Sequence, residues 1–99
     1  MPPEANLQRR VVSAIKRRFP SAWVYHPCDR KRMGVPDLLI CVNGRFVAVE
    51  LKAAGRKPTE LQRFTLDKIT HAGGIAGWAT DLDQVFRIVE QATYSITSS

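Results

Sequence analysis

The sequence predicts an α/β domain built on a mixed four-stranded sheet flanked by helices. Two runs rich in β-branched and apolar residues, LLICV and RFVAVEL, lie on either side of Asn43-Gly44, the dipeptide most typical of a two-residue β-hairpin. A helical segment and another apolar run follow the hairpin, and a strand–helix–strand connection is almost always a right-handed crossover between parallel strands. An antiparallel hairpin that continues into a parallel strand makes the sheet mixed.

The first third of the chain supplies one helix and one strand. Apolar residues recur at helical spacing from Glu4 to Arg18, and Phe19-Pro20-Ser21 ends that helix. Ala22 to His26 alternates as a strand does, with Trp23 and Tyr25 on one face. We predict that this aromatic pair belongs to the core, since exposed base-stacking pairs are the rarer case.

The rest of the chain completes the element order αβββαβα. Thr59 and Gln62 fit a capping box at the start of a second helix, which ends before Gly73-Gly74. The fourth strand is predicted over Ile75 to Thr80, parallel to the second hairpin strand. Asp81 then caps a last helix.

The hairpin places two carboxylates at one end of an otherwise apolar sheet. Counted outward from the turn, Asp37 lies directly opposite Glu50 in a non-hydrogen-bonded pair, the kind whose side chains approach most closely. Lys52 points to the same face. Because facing like charges destabilise a hairpin, a cation or a shared proton has to offset the repulsion. The alternative is an ordinary strand end with solvated charges.

The chemistry of these donors favours a hard cation. Carboxylates without a nearby thiol or imidazole suit Mg²⁺ or Mn²⁺, which keep several waters and take further ligands from substrate phosphate. The two cysteines, Cys28 and Cys41, lack the spacing of a metal-binding pair. No apolar run is long enough to span a membrane and the N-terminus lacks a signal-peptide core, so we expect a soluble intracellular protein.

The excess positive charge lies in the first third of the chain. Of the net +6, all is carried by residues 1–33, which hold eight basic and two acidic residues, whereas the remainder holds seven of each sign. Clustered basic charge is typical of nucleic-acid-binding proteins, and a merely basic soluble surface is the alternative. The residues expected to contact DNA phosphates are Arg9, Arg10, Arg30, Lys31, Arg32, Arg56 and Lys57.

Pro36-Asp37 followed by Glu50-Leu51-Lys52 resembles the PD-(D/E)xK nuclease signature. The longer string of GVPDLLI, VELK, a polar loop and TELQ resembles the VRR-NUC branch of that superfamily. The resemblance covers nearly the whole chain and implies a restriction-endonuclease-like αβββαβ core with an extra C-terminal helix. We expect one domain over residues 1–99, with mobile ends at 1–3 and 93–99.

The resemblance also implies roles for the site residues. Asp37, Glu50 and the backbone carbonyl of Leu51 would hold Mg²⁺ or Mn²⁺, and Lys52 would orient the attacking water. In the family, residues matching Glu4 and Gln62 support the site.

Both supporting residues also have structural explanations. A carboxylate such as Glu4 in a first helical turn favours the positive end of the helix dipole, and Gln62 fits the capping box. The sequence leaves both alternatives open.

Together these features predict metal-dependent hydrolysis of DNA phosphodiester bonds. The resemblance implies branched or four-way junction DNA as substrate and a homodimer, which we expect to pair through Trp78, Phe86 and Ile88 unless these residues are simply core. The competing hypothesis is a basic DNA-binding module with the same fold that does not cut. A purely structural basic domain would leave the carboxylate pair unexplained.

Overall fold

A computed structural model describes residues 3–27 and 34–93 of the chain, with side chains from residue 6 onward. The elements are α1 (Pro3–Arg18), β1 (Trp23–Tyr25), β2 (Leu38–Val42), β3 (Arg45–Leu51), α2 (Glu60–His71), β4 (Ile75–Ala79) and α3 (Leu82–Glu90). This is the predicted order, and the fold is the predicted α/β architecture. Of the ends expected to be mobile, Pro3 belongs to α1 and Thr93 to a turn, and the others lie outside the described residues.

The sheet has the strand order β1-β2-β3-β4. Its first three strands are antiparallel, and β4 runs parallel to β3 as the crossover rule predicts. The turn between β2 and β3 has positive φ at both central residues, 53° at Asn43 and 75° at Gly44, as a type I′ turn requires. From this turn the pairing runs without interruption out to Leu38 opposite Val49.

One face of the sheet carries the hydrophobic core. Helices α1 and α3 pack together on this face, where Val11 and Ile15 of α1 and Val85 and Val89 of α3 are fully buried. The strand residues that join them in the core are Leu38, Ile40, Val42, Val47, Val49, Leu51, Ile75 and Ala79. Burial of this apolar surface is the main stabilising contribution to the fold. Among the described residues, no helix is long and apolar enough to cross a membrane.

The opposite face of the sheet, which we call the site face, is covered only in part. Helix α2 packs there on β3 and β4. The residues of β1 and β2 on this face remain open, with Trp23 60% and Tyr25 49% exposed. The prediction that this aromatic pair belongs to the core is therefore wrong. Of the three helices formed by the described residues, two pack on the other face, which leaves α2 to cover this one.

Candidate functional site

The carboxylates of Asp37 and Glu50 meet at the open end of the hairpin. Leu38 pairs with Val49, so the next residues outward, Asp37 and Glu50, lie opposite each other in the predicted register. The backbone N–H of Leu51 donates to Asp37 Oδ2 at 2.8 Å. This hydrogen bond holds the Asp37 side chain over the end of β3, beside the Leu51 peptide whose carbonyl was predicted as a ligand.

Glu50 is buried because its strand lies inside the sheet, between β2 and β4, and α2 packs over it. Only 3% of the residue is exposed, and it lies next to Trp78 of β4 on the site face. Its Oε2 accepts a hydrogen bond from Gln62 Nε2 at 2.8 Å and lies 3.7 Å from the ammonium of Lys52. Its Oε1 is buried and finds no hydrogen-bond partner among the described residues. A buried carboxylate oxygen in this state is costly unless something positive binds it.

This environment favours the protonated form of Glu50. Burial and the adjacent negative charge of Asp37 raise the pKa of Glu50 from 4.5 to about 8, against the opposing effect of the Lys52 ammonium. In the metal-free protein at neutral pH a proton therefore offsets the repulsion between the two carboxylates. A divalent cation that binds between them would displace this proton.

The donor set fits a hard divalent cation. Mg²⁺ is usually bound through one or two carboxylates and completes its octahedron with waters and substrate phosphate. Asp37 and the unpartnered Oε1 of Glu50 supply those carboxylates at an open sheet end. Within residues 6–27 and 34–93 no group of three or more His, Cys, Asp or Glu side chains is placed to share a metal ion.

Gln62 serves the helix and the site with the same side chain. The side-chain Oε1 of Gln62 accepts a hydrogen bond from the backbone N–H of Thr59 at 2.9 Å. The backbone N–H of Gln62 donates to Thr59 Oγ1 at 3.2 Å, which completes the capping box of α2. Its Nε2 donates to Glu50. The capping residue therefore also contacts Glu50, because a primary amide has separate donor and acceptor ends.

The segment leading into Asp37 is held against α2 by a glycine. Gly34 has φ +86°, and a Cβ there would come within 2.8 Å of Leu61 Cγ and 3.1 Å of Thr65 Oγ1. A side chain at this position would be strained in both backbone and packing. The glycine of the GVPD string therefore allows the Asp37 segment to pack closely beside the helix that carries Gln62.

Of the basic residues predicted to contact DNA, the structure describes four and leaves three outside the described residues. Arg9 and Arg10 are exposed on α1, and Arg56 and Lys57 are exposed between β3 and α2. Arg30, Lys31 and Arg32, together with the Glu4 side chain, lie outside the described residues.

Sequence reasoning missed two features of α1. Arg17 lines the same surface concavity as Arg9 and Arg10, and its seven-residue spacing from Arg10 could have revealed this. Arg18, by contrast, forms an ion pair with Glu90, and its guanidinium lies over the ring of Phe86 at 5.1 Å. Arg17 therefore extends the basic surface, whereas Arg18 has a structural role between α1 and α3.

Comparison with known proteins identifies similar solved structures. No family model matches the sequence, and no curated protein matches it. A solved structure described as "VRR_NUC domain" matches with a TM-score of 0.65 and 26% identity, over 84% of this chain and 94% of that one. A second, described as "VRR_NUC domain protein", matches with a TM-score of 0.72 and 20% identity, over 93% of this chain and 88% of that one. The second match supports the fold, and the first supports the fold and the sequence resemblance together.

Proposed function

We propose that this chain, which is a VRR-NUC domain, hydrolyses DNA phosphodiester bonds as a metal-dependent endonuclease. The observation that carries the proposal is the facing pair of Asp37 and Glu50, in which a buried carboxylate oxygen has no hydrogen-bond partner among the described residues. A purely structural role does not account for two carboxylates placed opposite each other at a sheet end.

Each side chain of the pair has a distinct task in the proposed reaction. A divalent cation bound at this position would supply a nucleophile of lowered pKa and would stabilise negative charge on the phosphoryl oxygens. Asp37 and Glu50 would hold it, with the Leu51 carbonyl beside them. Gln62 binds Glu50 Oε2 and so leaves Oε1 available as a ligand.

Lys52 acts on the attacking water. Its ammonium lies 3.7 Å from Glu50 Oε2 and its side chain is largely buried, so its position is fixed beside the carboxylates. A fixed ammonium at that place orients a water molecule by hydrogen bonding and stabilises charge that develops in the transition state. It also favours the ionised Glu50 that the cation requires.

Branched DNA and a two-fold dimer form the finer part of the proposal. A dimer presents two identical sites, which suits the cutting of two strands of a junction. Trp78 is exposed on the edge strand β4 and supports a contact there, whereas Phe86 and Ile88 pack partly buried against the core. The dimer contact of the C-terminal part therefore centres on Trp78.

The test is cleavage of linear, flapped and four-way DNAs in Mg²⁺, in Mn²⁺ and in EDTA, with Asp37→Asn as the control protein. We expect cleavage with either metal, none in EDTA and none by the variant. Binding of all three DNAs without cleavage in any metal would instead establish the non-cleaving module. Light scattering of the same samples gives the mass, and a monomer on junction DNA would exclude the paired cut while leaving the metal site intact.

A further inference from the structure

Two aromatic rings stand exposed and parallel on the edge strand of the sheet. The ring centroids of Trp23 and Tyr25 are 5.7 Å apart and their planes differ by 10°. About half or more of each residue is accessible to solvent. Exposed large apolar side chains that adjoin one another mark an interaction surface more often than scattered single ones do.

The pair lies on the site face, directly beside the carboxylates. Tyr25 pairs with Leu39 of β2, and Asp37 lies two residues before Leu39 with its side chain on the same face. Diagonal neighbours of this kind lie about 7–8 Å apart, with their Cβ atoms somewhat closer. Trp23 continues the row away from the site, next to Cys41 and then Phe46, which are both exposed. A strand of nucleic acid that has a phosphate at Asp37 and runs along β1 would pass over these rings.

The ring spacing indicates how a base would bind. A base inserted between two rings needs two stacking distances, or about 6.8 Å, given the 3.4 Å rise of a DNA strand. The 5.7 Å separation is too short for this, so Trp23 and Tyr25 contact each other and leave their outer faces for a partner. The outer face of Tyr25 is the one nearer the carboxylates.

The charge of the chain favours nucleic acid over a second copy as the partner. All of the net +6 lies within residues 1–33, the part of the chain that contains β1. Arg9 of α1 and His26, the residue that follows β1, line a groove beside the end of this strand. Two copies of a chain with this excess positive charge repel each other, whereas a DNA strand brings phosphates of opposite charge.

We propose that Trp23 and Tyr25 form a stacking platform for unpaired bases of the DNA strand next to the bond that is cut. The proposal deepens the nuclease function and rests on it for the identity of the substrate. Bases in a duplex have both faces covered by their neighbours, and only unpaired bases expose a face for aromatic side chains. The platform therefore selects DNAs that carry a single-stranded segment at the site, such as flaps and open branch points.

The experiment measures binding in EDTA, where cleavage does not intervene. The ligands are a strand of about 10 nucleotides, a length typical of single-strand binding sites, and the same strand in a duplex. The variant is the double substitution Trp23→Ala and Tyr25→Ala. The matched control is Phe64→Ala, which removes an equally exposed aromatic residue, 57% accessible, from helix α2.

We expect the double variant to lose single-strand affinity by about 5- to 150-fold, the range measured for stacking of one base. Duplex affinity should change less than about twofold, since phosphate contacts dominate it. Phe64→Ala should alter neither. An equal loss for both DNAs, or no loss for either, would overturn the platform.

A second measurement keeps the native platform intact. In a Trp78→Phe protein the tryptophan fluorescence comes from Trp23 alone. Stacking of a base on the platform should quench this emission when the single strand is added but not when the duplex is added. Unchanged fluorescence at saturating single strand would contradict the proposal. If the double variant changes the mass in light scattering and leaves DNA affinity as it was, the surface is a dimer contact instead. Because no readout needs cleavage, these results can be interpreted even if the nuclease function alone fails.

Discussion

The stability of the metal-free protein should fall as the pH rises from 5 to 8, because of Glu50. Its pKa is raised from 4.5 to about 8 by burial and by the charge of Asp37, so the folded state binds a proton that the unfolded state has released. A group with a raised folded pKa stabilises the fold fully below its unfolded pKa. That contribution to stability is lost as the pH rises toward the pKa of Glu50 in the folded state.

The size of the effect follows from the shift. The limiting slope for one proton is about 1.4 kcal/mol per pH unit. The whole shift sets a ceiling of about 5 kcal/mol, and we expect a fall of about 2–4 kcal/mol in the free energy of unfolding. Glu50→Gln removes the titrating group while keeping its size and the oxygen that accepts from Gln62, so the variant should lack this part of the slope.

The assay is urea unfolding at pH 5, 6, 7 and 8 in EDTA, followed by circular dichroism. Asp67→Asn on the exposed side of α2 is the matched control and should keep the wild-type slope. Saturating Mg²⁺ should reverse the trend in the wild type, since a cation stabilises the ionised carboxylates and competes with the proton. Equal slopes in the wild type and Glu50→Gln would refute the assignment of the buried proton to Glu50.

Three further outcomes test the site and the basic surface. Asp37→Ala should abolish cleavage and leave DNA binding within about twofold, because phosphate affinity comes from basic residues elsewhere, and a titration with labelled DNA checks this. Arg10→Glu and Arg17→Glu should each weaken binding to DNA of every sequence alike. Each should also lower the slope of log affinity against log salt concentration by about one for each phosphate that the variant no longer binds. An unchanged slope would exclude these residues from the interface. Thr59→Ala and Gln62→Met should each cost about 0.5–2 kcal/mol of stability through the broken capping box. Only the second should also reduce cleavage, and equal activities would show that Gln62 is a capping residue alone.

The sequence alone was sufficient to predict features that depend on interactions between residues close together in the chain. The Asn43-Gly44 turn determines its own geometry, and the two-residue loop then fixes the strand register out to Asp37 and Glu50. The capping box of α2 follows from Thr59 and Gln62 in the same way. These interactions span a few residues or a single hairpin, so no knowledge of the remaining chain was required.

Features that depend on the distribution of helices over the two faces were not predictable. Alternation in β1 correctly placed Trp23 and Tyr25 on one face but could not reveal which face receives two helices and which receives one. The burial of Glu50 likewise depends on where α2 and β4 pack, and its raised pKa follows from that burial. Periodicity gives the orientation of a side chain relative to its own strand, whereas exposure is a property of the assembled layers.

The hydrogen bond between Gln62 and Glu50 also helps to place the loop that carries Arg56 and Lys57. The segment that carries Arg56 and Lys57 begins directly after Lys52 and ends at Thr59, whose capping partner Gln62 contacts Glu50. Both ends of this short loop are therefore attached to the carboxylate site. Arg56 follows Lys52 by four residues, so its Cα lies within about 14 Å of the Lys52 Cα even in a fully extended chain. On such a tether, we expect the Arg56 side chain to contact a phosphate next to the one that the proposed nuclease would cut, and so to position the DNA.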